Sequence, residues 1–366
     1  MAIAYLTFMK HFILISLITS FLTMTGITHG VAQDNTTDSP TKQAVEGSIS
    51  VLIYHRFGDD RYPSTNVRMD QFETQIKWLK ENGFSFPTLK QVVDAHKRGE
   101  TLPGKNILIT ADDGYQSIAD NGWPMLKAAG IPLTLFVATS PIDAGSSNYM
   151  SWDTIRHLDA EGVTIGHHGA SHMHMADASA KDIDADLQQA NQRFLDELGY
   201  VPNVFAWPYG EYNPDHYAIL KENGLDAAFG QYSASLGPAS DLMSMPRFAI
   251  NERYGNMDRF TIISNSKAMP VGNVRPSTPV VVEGENPPRF TFTSPQANQL
   301  TNMSCFPSHM EGAADIQFGP DGQIEVMLSE AFPPGRSRVN CTAPAGNGRW
   351  YWFGRPFFNF KGFQKD

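Results

Sequence analysis

Two adjacent carboxylates stand directly after an apolar run in this 366-residue sequence. Asp112, Asp113 and Gly114 follow the run at 106–111 (NILITA). Neighbouring carboxylates repel each other unless a cation or a shared proton lies between them, so this pair could bind a metal ion or act in acid–base chemistry. Asp-Gly is also common in turns, and a turn is the simpler explanation of the segment taken alone.

Histidines are concentrated in a second segment, which also follows a predicted strand. Four of the 11 histidines lie within eight residues, namely His167, His168, His172 and His174. Imidazoles four residues apart can converge on one ion when the segment coils, and His168 and His172 have that spacing. His167 faces the opposite side if the strand continues to it, and we expect His174 at the rim of the site or in solvent. The alternative explanation is an exposed polar loop.

A third segment, 206–210 (AWPYG), ends another apolar run and is either an aromatic-lined turn or a surface for a sugar ring. His55 closes the first predicted strand. One Asp and two His can hold a metal ion and leave open positions for water and substrate. A second Asp could then act as a base and a separate His as an acid. This set is typical of metal-assisted hydrolysis of an amide or ester.

Strands and helices alternate in the sequence that carries these segments. Apolar or β-branched runs predict strands at 48–54, 106–111, 133–138, 163–166, 204–207 and 226–229. Apolar stripes predict helices between them; the clearest stripe is Ile183, Leu187, Ala190, Phe194 and Leu198. A helix is also predicted over 115–129, and Ser151 is the predicted N-cap of another. Such alternation predicts a mostly parallel sheet or a barrel, in which the chemistry lies at the carboxyl ends of the strands.

The chain changes in character after about residue 270. Short strands are predicted at 289–293, 323–328 and 349–353, so we expect a small β-sandwich over 271–366. Cys305 and Cys341 are the two cysteines of the chain, and Cys341 has no Cys or His nearby at ligand spacing. We therefore predict a disulfide between them, formed in an oxidising compartment, rather than a metal site.

The first 32 residues have the layout of a secretory signal peptide. Lys10 precedes an apolar run at 12–22, and small residues lead to Ala32. The alternative is an uncleaved anchor, although the run is short for a membrane span. Met9 is a second possible start site. Residues 33–47 are polar and Thr-rich and are predicted to form a flexible leader.

The composition excludes several classes of protein. Hydrophobic residues make up 41% and charged residues 18% of the chain, which indicates a folded protein. The net charge of −10 argues against a nucleic-acid partner, because binding phosphates requires a basic face. We expect an exported protein, periplasmic or secreted, with no stable membrane insertion after signal cleavage. The oligomeric state stays open.

The order of these segments resembles the polysaccharide deacetylases of carbohydrate esterase family 4, which share the NodB-homology domain. The family's Thr-Phe-Asp-Asp-Gly segment is similar to 110–114 (TADDG), its histidine segment to 165–172 (IGHHGASH), and its Arg-Pro-Pro-Tyr-Gly segment to 206–210. The resemblance covers about residues 48–250. It implies an α/β fold, a distorted (β/α) barrel of the NodB type over 48–270, followed by the small all-β sandwich.

A subgroup of this family is still more similar, the exported deacetylases of poly-β-1,6-N-acetylglucosamine. They share Trp-Pro-Tyr-Gly, a Tyr directly after Asp-Asp-Gly (here Tyr115), and a Leu-x-Tyr-His segment like 52–55. The family's late Leu-x-His motif is absent, since no His lies between His216 and His309. The resemblance therefore implies that His55 is the catalytic acid.

The remaining roles also come from the resemblance. Asp112 would be the general base, and a divalent cation, Zn²⁺, Ni²⁺ or Co²⁺, would be bound by the metal ligands Asp113, His168 and His172. The backbone N–H of Tyr209 would stabilise the oxyanion.

Two departures from the family pattern affect this site. Ala206 stands where many members have the Arg that orients the base, and our hypothesis is that Arg247, which we expect to follow a late strand, replaces it. Gly169 replaces the Ser or Thr after the first metal-binding His, which we expect to loosen the loop.

The predicted function is metal-dependent N-deacetylation of a polysaccharide that contains N-acetylglucosamine, poly-β-1,6-linked or chitin-like, with release of acetate. The alternatives are a peptidoglycan deacetylase and a non-catalytic carbohydrate-binding protein on the same fold. The aromatic run 350–352 (WYW) either binds glycan or belongs to the core of the C-terminal domain.

Overall fold

A seven-stranded parallel sheet forms the centre of the fold in the computed structural model, which describes residues 47–365. The strands are β1 (Gly47–Tyr54), β2 (Arg56–Phe57), β3 (Asn66–Val67), β4 (Gly104–Asp112), β5 (Leu133–Val137), β6 (Thr164–His167), β7 (Val204–Ala206), β8 (Ala227–Phe229), β9 (Phe248–Ala249), β10 (Lys267–Ala268), β11 (Gly272–Arg275), β12 (Phe290–Thr293), β13 (Ser304–Pro307), β14 (Asp315–Phe318), β15 (Gln323–Met327), β16 (Gly335–Pro344) and β17 (Trp350–Asn359). The helices are α1 (Met69–Glu81), α2 (Leu89–Lys97), α3 (Trp123–Ala129), α4 (Thr139–Asp143), α5 (Trp152–Ala160), α6 (Ala180–Leu198), α7 (Tyr217–Glu222) and α8 (Met257–Ser264).

The central sheet has the strand order β8-β7-β6-β5-β4-β1-β9, and its pairings are parallel. This is the open, distorted (β/α) barrel that the alternation and the resemblance predict. The six strands predicted from apolar runs are all present, because runs such as LTLFV in β5 are buried on both faces. The seventh strand, β9, has two residues and is too short for any sequence pattern.

Helix boundaries follow local signals, with one difference from the prediction. Ser151 caps α5 and accepts from the Thr154 backbone N–H, as predicted. The single helix predicted over 115–129 is instead a π-helical turn, Ile118–Gly122, followed by α3. Pro124 lies in the first turn of α3. The N–H groups of a first turn have no intrahelical acceptor, so proline is tolerated there and a new helix starts.

Two four-stranded sheets follow the central sheet in the chain. Their orders are β10-β17-β16-β13 and β11-β12-β15-β14, and both contribute side chains to one core that includes Phe290, Ile324, Val339 and Phe357. This arrangement confirms the all-β architecture expected for the C-terminal part. Cys305 and Cys341 pair directly across β13 and β16 and form the predicted disulfide.

The β sheets pack against the central sheet, and residues 47–365 belong to a single compact unit. Tyr351 of β17 packs on the core between the two β sheets, whereas the neighbouring Trp352 packs edge-to-face on Phe248 at a ring distance of 5.3 Å. Trp350 is 39% exposed. The aromatic run is therefore mostly a packing element, and the domain boundary near residue 270 stays a prediction.

The predicted signal peptide at 1–32 and the leader up to residue 46 lie outside the described residues. Within residues 47–365, none of the helices combines the length and apolar character that a membrane span needs.

Candidate active site

The carboxyl ends of the parallel strands bring the predicted site residues to one edge of the sheet. His55 follows β1, Asp112 ends β4, and His168 follows β6. A cleft of about 780 Å³ opens at this edge. It is lined by all seven predicted site residues: His55, Asp112, Asp113, His168, His172, Tyr209 and Arg247.

Asp113, His168 and His172 form a cluster with the geometry of a metal site. The Nε2 atoms of both histidines lie 3.3 Å from Oδ1 of Asp113, and all three ligand atoms lie within 4.8 Å of one another. Asp113 and His172 have positive φ angles of 75° and 58°, which bend the chain so that these side chains converge. This Oδ1 atom is buried and has no hydrogen-bond partner among residues 47–365, as expected for an atom whose partner is an ion.

The imidazole of His168 is held in the tautomer that a metal ligand needs. Its Nδ1–H donates to the Ala206 carbonyl at 2.6 Å, which leaves the lone pair on Nε2 directed at Asp113. Burial by itself would lower the pKa of His168, but the carboxylates of Asp113 and Asp112 outweigh it and the pKa is raised. Burial would likewise raise the pKa of Asp113, yet the two imidazoles hold it well below its usual range. The site therefore favours negative charge on Asp113, which suits a divalent cation.

Asp112 is held by a buried arginine. Arg247 donates from Nη1 to Oδ1 at 2.7 Å and from Nη2 to Oδ2 at 2.8 Å, and neither side chain is more than 2% exposed. Arg247 also donates from Nε to the Gly230 carbonyl at 2.9 Å and from Nη1 to the Thr110 hydroxyl at 3.3 Å. This bidentate contact agrees with the hypothesis that Arg247 orients the base, although Arg247 precedes the late strand β9 rather than following a strand.

His55 faces the same two carboxylates from β1. Burial lowers the pKa of His55, and the negative charges of Asp113 and Asp112 act in the opposite direction. Burial outweighs these charges, so the pKa of His55 is lowered overall.

Tyr209 lies in a tight turn between Trp207 and Gly210. Its φ is 58°, and the turn is closed by the Gly210 N–H bonded to the Trp207 carbonyl at 2.8 Å. Gly210 has a φ of +71°, and a Cβ there would come within 2.3 Å of Gln231, so the turn requires glycine. The ring of Tyr209 lies 4.5 Å from that of His172.

The expectation that His174 lies at the rim or in solvent is wrong. His174 is 7% exposed, stacks on the Tyr209 ring at 4.0 Å, and pairs through Nδ1 with Oε2 of the fully buried Glu211 at 2.8 Å. Sequence reasoning did not find Glu211, although an acidic residue directly after Trp-Pro-Tyr-Gly is a visible signal. The His174–Glu211 pair thus packs against the Tyr209 ring and supports it.

The expectation that Gly169 loosens the histidine loop is also wrong. Asp186 of α6 accepts hydrogen bonds from the backbone N–H groups of Ala170 and Ser171, both at 2.8 Å. A Cβ on Gly169 would come within 2.7 Å of this carboxylate, so glycine is what allows the loop to close on it. Asp186 was detectable as an acidic residue on the apolar stripe of a predicted helix.

His167 points away from the cleft, as its strand position predicts. The Gly169 N–H donates to Nδ1 at 3.0 Å, so Nε2 carries the proton and donates to Asn191 Oδ1 at 3.2 Å. Burial lowers the pKa of His167 to about 3, which keeps the ring neutral in the folded state.

Comparison with known proteins agrees with this geometry. The sequence model of the polysaccharide deacetylase family matches residues 99–228. The chain carries a polysaccharide deacetylase domain. The match includes the paired carboxylates, the histidine segment and the Trp-Pro-Tyr-Gly turn, so the family resemblance is confirmed.

Two curated relatives extend beyond this domain. The chain is 27% identical over 278 residues to a poly-β-1,6-N-acetyl-D-glucosamine N-deacetylase from Staphylococcus aureus, covering 67% of this chain and 94% of the relative. It is 26% identical over 255 residues to the protein of that name from Staphylococcus epidermidis, covering 62% and 87%.

Two solved structures share the fold of the domain. The Streptococcus pyogenes deacetylase PplD, in complex with acetate, has a TM-score of 0.53 at 20% identity and covers 58% of this chain and 96% of its own. IcaB from Ammonifex degensii has a TM-score of 0.52 at 23% identity and covers 60% and 97%.

Proposed function

We propose that this protein is a metal-dependent N-deacetylase, which hydrolyses acetamido groups of an N-acetylglucosamine polysaccharide and releases acetate. The observation that supports this most is the Asp113–His168–His172 cluster directly beside the Asp112–Arg247 pair in one cleft. A pure binding site has no need of both carboxylates.

Asp113, His168 and His172 would hold a divalent cation, Zn²⁺, Ni²⁺ or Co²⁺. The unpartnered Oδ1 of Asp113 and the lone pair left on Nε2 of His168 fit such an ion. Nitrogen and carboxylate donors suit these metals. A cation bound there acts as a Lewis acid and makes water nucleophilic near neutral pH.

Asp112 acts as the general base in this proposal. Arg247 donates to both of its carboxylate oxygens and fixes the group in orientation. The base takes a proton from the water that attacks the acetamide carbonyl.

His55 acts as the general acid. An amine is a poor leaving group, so the departing nitrogen needs a proton. His55 lines the cleft together with both carboxylates, whose charges oppose the lowering of its pKa by burial.

The backbone N–H of Tyr209 would stabilise the oxyanion of the tetrahedral intermediate. The strained turn at Tyr209 and the stack on His174 hold this segment in place beside His172.

The relatives' names point to poly-β-1,6-N-acetylglucosamine as the glycan. A polymer of this kind lies outside the cytoplasm, so we also propose that the protein is exported, to the periplasm or beyond. The Cys305–Cys341 disulfide supports an oxidising compartment.

The test is acetate release from poly-β-1,6-N-acetylglucosamine and chitin oligomers, using protein stripped of metal and then reloaded with Zn²⁺, Ni²⁺ or Co²⁺. We expect release that depends on the metal, with the β-1,6-linked oligomer preferred. Preference for chitin would change the glycan assigned to the protein and leave the deacetylase proposal in place. No release by metal-loaded protein from either oligomer, or from peptidoglycan, would refute the deacetylase proposal in favour of a carbohydrate-binding protein.

A further inference from the structure

One wall of the catalytic cleft comes from the C-terminal β sheets. Arg336, Arg338 and Asn340 alternate along β16 and line the same cleft as Asp112. Trp352 of the neighbouring β17 lines it as well. The family match ends at residue 228, so this wall lies outside the matched domain.

The wall is rich in positive charge. Arg338 is exposed and forms no ion pair with any residue between 47 and 365. Arg259 also lines the cleft, and its Nη1 donates to two uncharged groups, the carbonyls of Ala249 at 3.1 Å and Tyr254 at 2.7 Å. Burial lowers the pKa of Arg259 to about 10, and the nearby charge of Arg338 acts in the same direction. Both arginines line the cleft, and neither forms an ion pair with a carboxylate among the described residues.

Arg336 has a partial partner. Its Nε lies 3.8 Å from Oε1 of Glu211, whose other oxygen pairs with His174, and its guanidinium lies 5.0 Å from the centre of the Tyr209 ring. This places the cationic wall directly beside the turn that faces the metal ligands.

Negative charge inside the cleft is already matched. Asp112 is held by Arg247, and Asp113 faces two histidines and the proposed cation. The whole chain has a net charge of −10, so this local excess of arginine is not a consequence of composition.

Two polar atoms of the wall are also buried without a hydrogen-bond partner among the described residues, Asn340 Oδ1 and Trp352 Nε1. Buried polar atoms are normally paired, so their presence beside a cleft is typical of a site that receives a polar ligand.

We propose that Arg259, Arg336 and Arg338 form an anion-binding subsite, and that the preferred glycan has a carboxylate or phosphate group on a sugar next to the acetamido sugar. An anion there would supply the carboxylate or phosphate partner that Arg259 and Arg338 lack, and a guanidinium can bind it through two hydrogen bonds. The inference rests on the proposed deacetylase function, because it assigns a substrate class to the same cleft.

The experiment compares four β-1,6-N-acetylglucosamine oligomers of one length: neutral, O-succinylated, O-phosphorylated and partly deacetylated. Acetate release is measured with metal-loaded full-length protein at low and high salt. We expect kcat/KM to be about fivefold to tenfold higher for an anionic oligomer than for the neutral one at low salt, mainly through KM. The cationic oligomer should be the poorest substrate, and high salt should reduce these differences.

Variants locate the effect. Arg338→Gln should bring the ratio of anionic to neutral kcat/KM towards one. Arg289→Gln is the matched control, because it removes an exposed arginine directly before β12 that pairs with Glu325 and does not line the cleft. This control should keep the wild-type ratio.

A binding measurement separates this inference from the proposed function. Dissociation constants of the four oligomers are measured by calorimetry with chelator-treated protein. Tighter binding of the anionic oligomers that is lost in Arg338→Gln supports the subsite, even if no oligomer is deacetylated. The lack of deacetylation would refute only the proposed function. The subsite would be overturned if neutral and anionic oligomers had equal affinity and equal kcat/KM. It would also be overturned if Arg338→Gln and Arg289→Gln changed the ratio of anionic to neutral kcat/KM equally. The better of the succinylated and phosphorylated oligomers identifies the anionic group.

Discussion

Replacing Arg247 tests how the candidate base is held. The Asp112–Arg247 pair is buried, with side chains 2% and 0% exposed, and both contacts are short. Breaking a buried pair by removing one partner costs about 3 to 5 kcal/mol, because the other charge is left uncompensated. In Arg247→Met the carboxylate can escape this cost by binding a proton, which inactivates a general base.

At about 1.4 kcal/mol per pH unit, this cost moves the acidic limb of the pH–rate profile upward by about 2 to 4 units. We expect Arg247→Met to lose activity at neutral pH and to recover part of it as the pH rises. Arg247→Lys keeps the charge but makes a single contact, so its limb should move less. The assay is kcat/KM for acetate release between pH 4 and 10, with metal content measured in parallel.

Arg355→Met is the matched control for loss of a buried arginine. Arg355 is 9% exposed and donates to the Tyr212 hydroxyl and to the carbonyls of Pro276 and Ser277, away from Asp112. This control should lower the melting temperature and leave the pH limb in place. If Arg247→Met keeps its metal and the wild-type pH profile, the argument that Arg247 holds Asp112 as the base is refuted.

Three further predictions test the acid, the disulfide and a buried imidazole. His55→Ala should keep its metal and lose about 10²- to 10⁴-fold in kcat, whereas His168→Ala should lose the metal itself. Metal analysis and acetate release distinguish the two variants. Metal loss in His55→Ala would contradict these roles. Cys305 and Cys341 are 36 residues apart, and replacing both by serine should lower the free energy of unfolding by about 3 to 4 kcal/mol. Urea titrations measure this loss, and an unchanged midpoint would count against a stabilising disulfide. His167 has its pKa lowered to about 3 in the folded state against 6.5 in the unfolded state, so its contribution is fully present above pH 6.5 and is lost as the pH falls towards 3. Unfolding at pH 5 should therefore cost about 2 kcal/mol less than at pH 7, and His167→Gln should flatten this dependence; the same slope in the variant would assign it to other groups.

The strands of the central sheet were predictable because each is a short apolar run bounded by turn residues. A buried parallel strand needs apolar side chains on both faces, and that requirement is visible in 106–111 or 133–138 without any tertiary information. The two-residue strand β9 has no such run, since its place in the sheet depends on pairing with β1.

The candidate metal ligands were predictable for a similar reason. His168 and His172 are four residues apart, and Asp113 directly follows a predicted strand, so local sequence already brings them to one edge of a parallel sheet. His174 was misplaced because its environment is set by Glu211, 37 residues away, and by the Tyr209 ring. A loop without periodicity does not show which of its side chains are buried.

Sequence by itself determined the alternating α/β domain, its carboxyl-end cluster of carboxylates and histidines, and the family to which that pattern belongs. Those features depend on residues that are neighbours along the chain or follow consecutive strands. Tertiary structure alone decided that Arg247 reaches Asp112 across 135 residues, and that β16, more than 200 residues from Asp112, builds a cationic wall of the same cleft. Contacts of that kind arise when separate sheets pack against each other, and no local pattern of spacing or hydrophobicity records which side chains then meet.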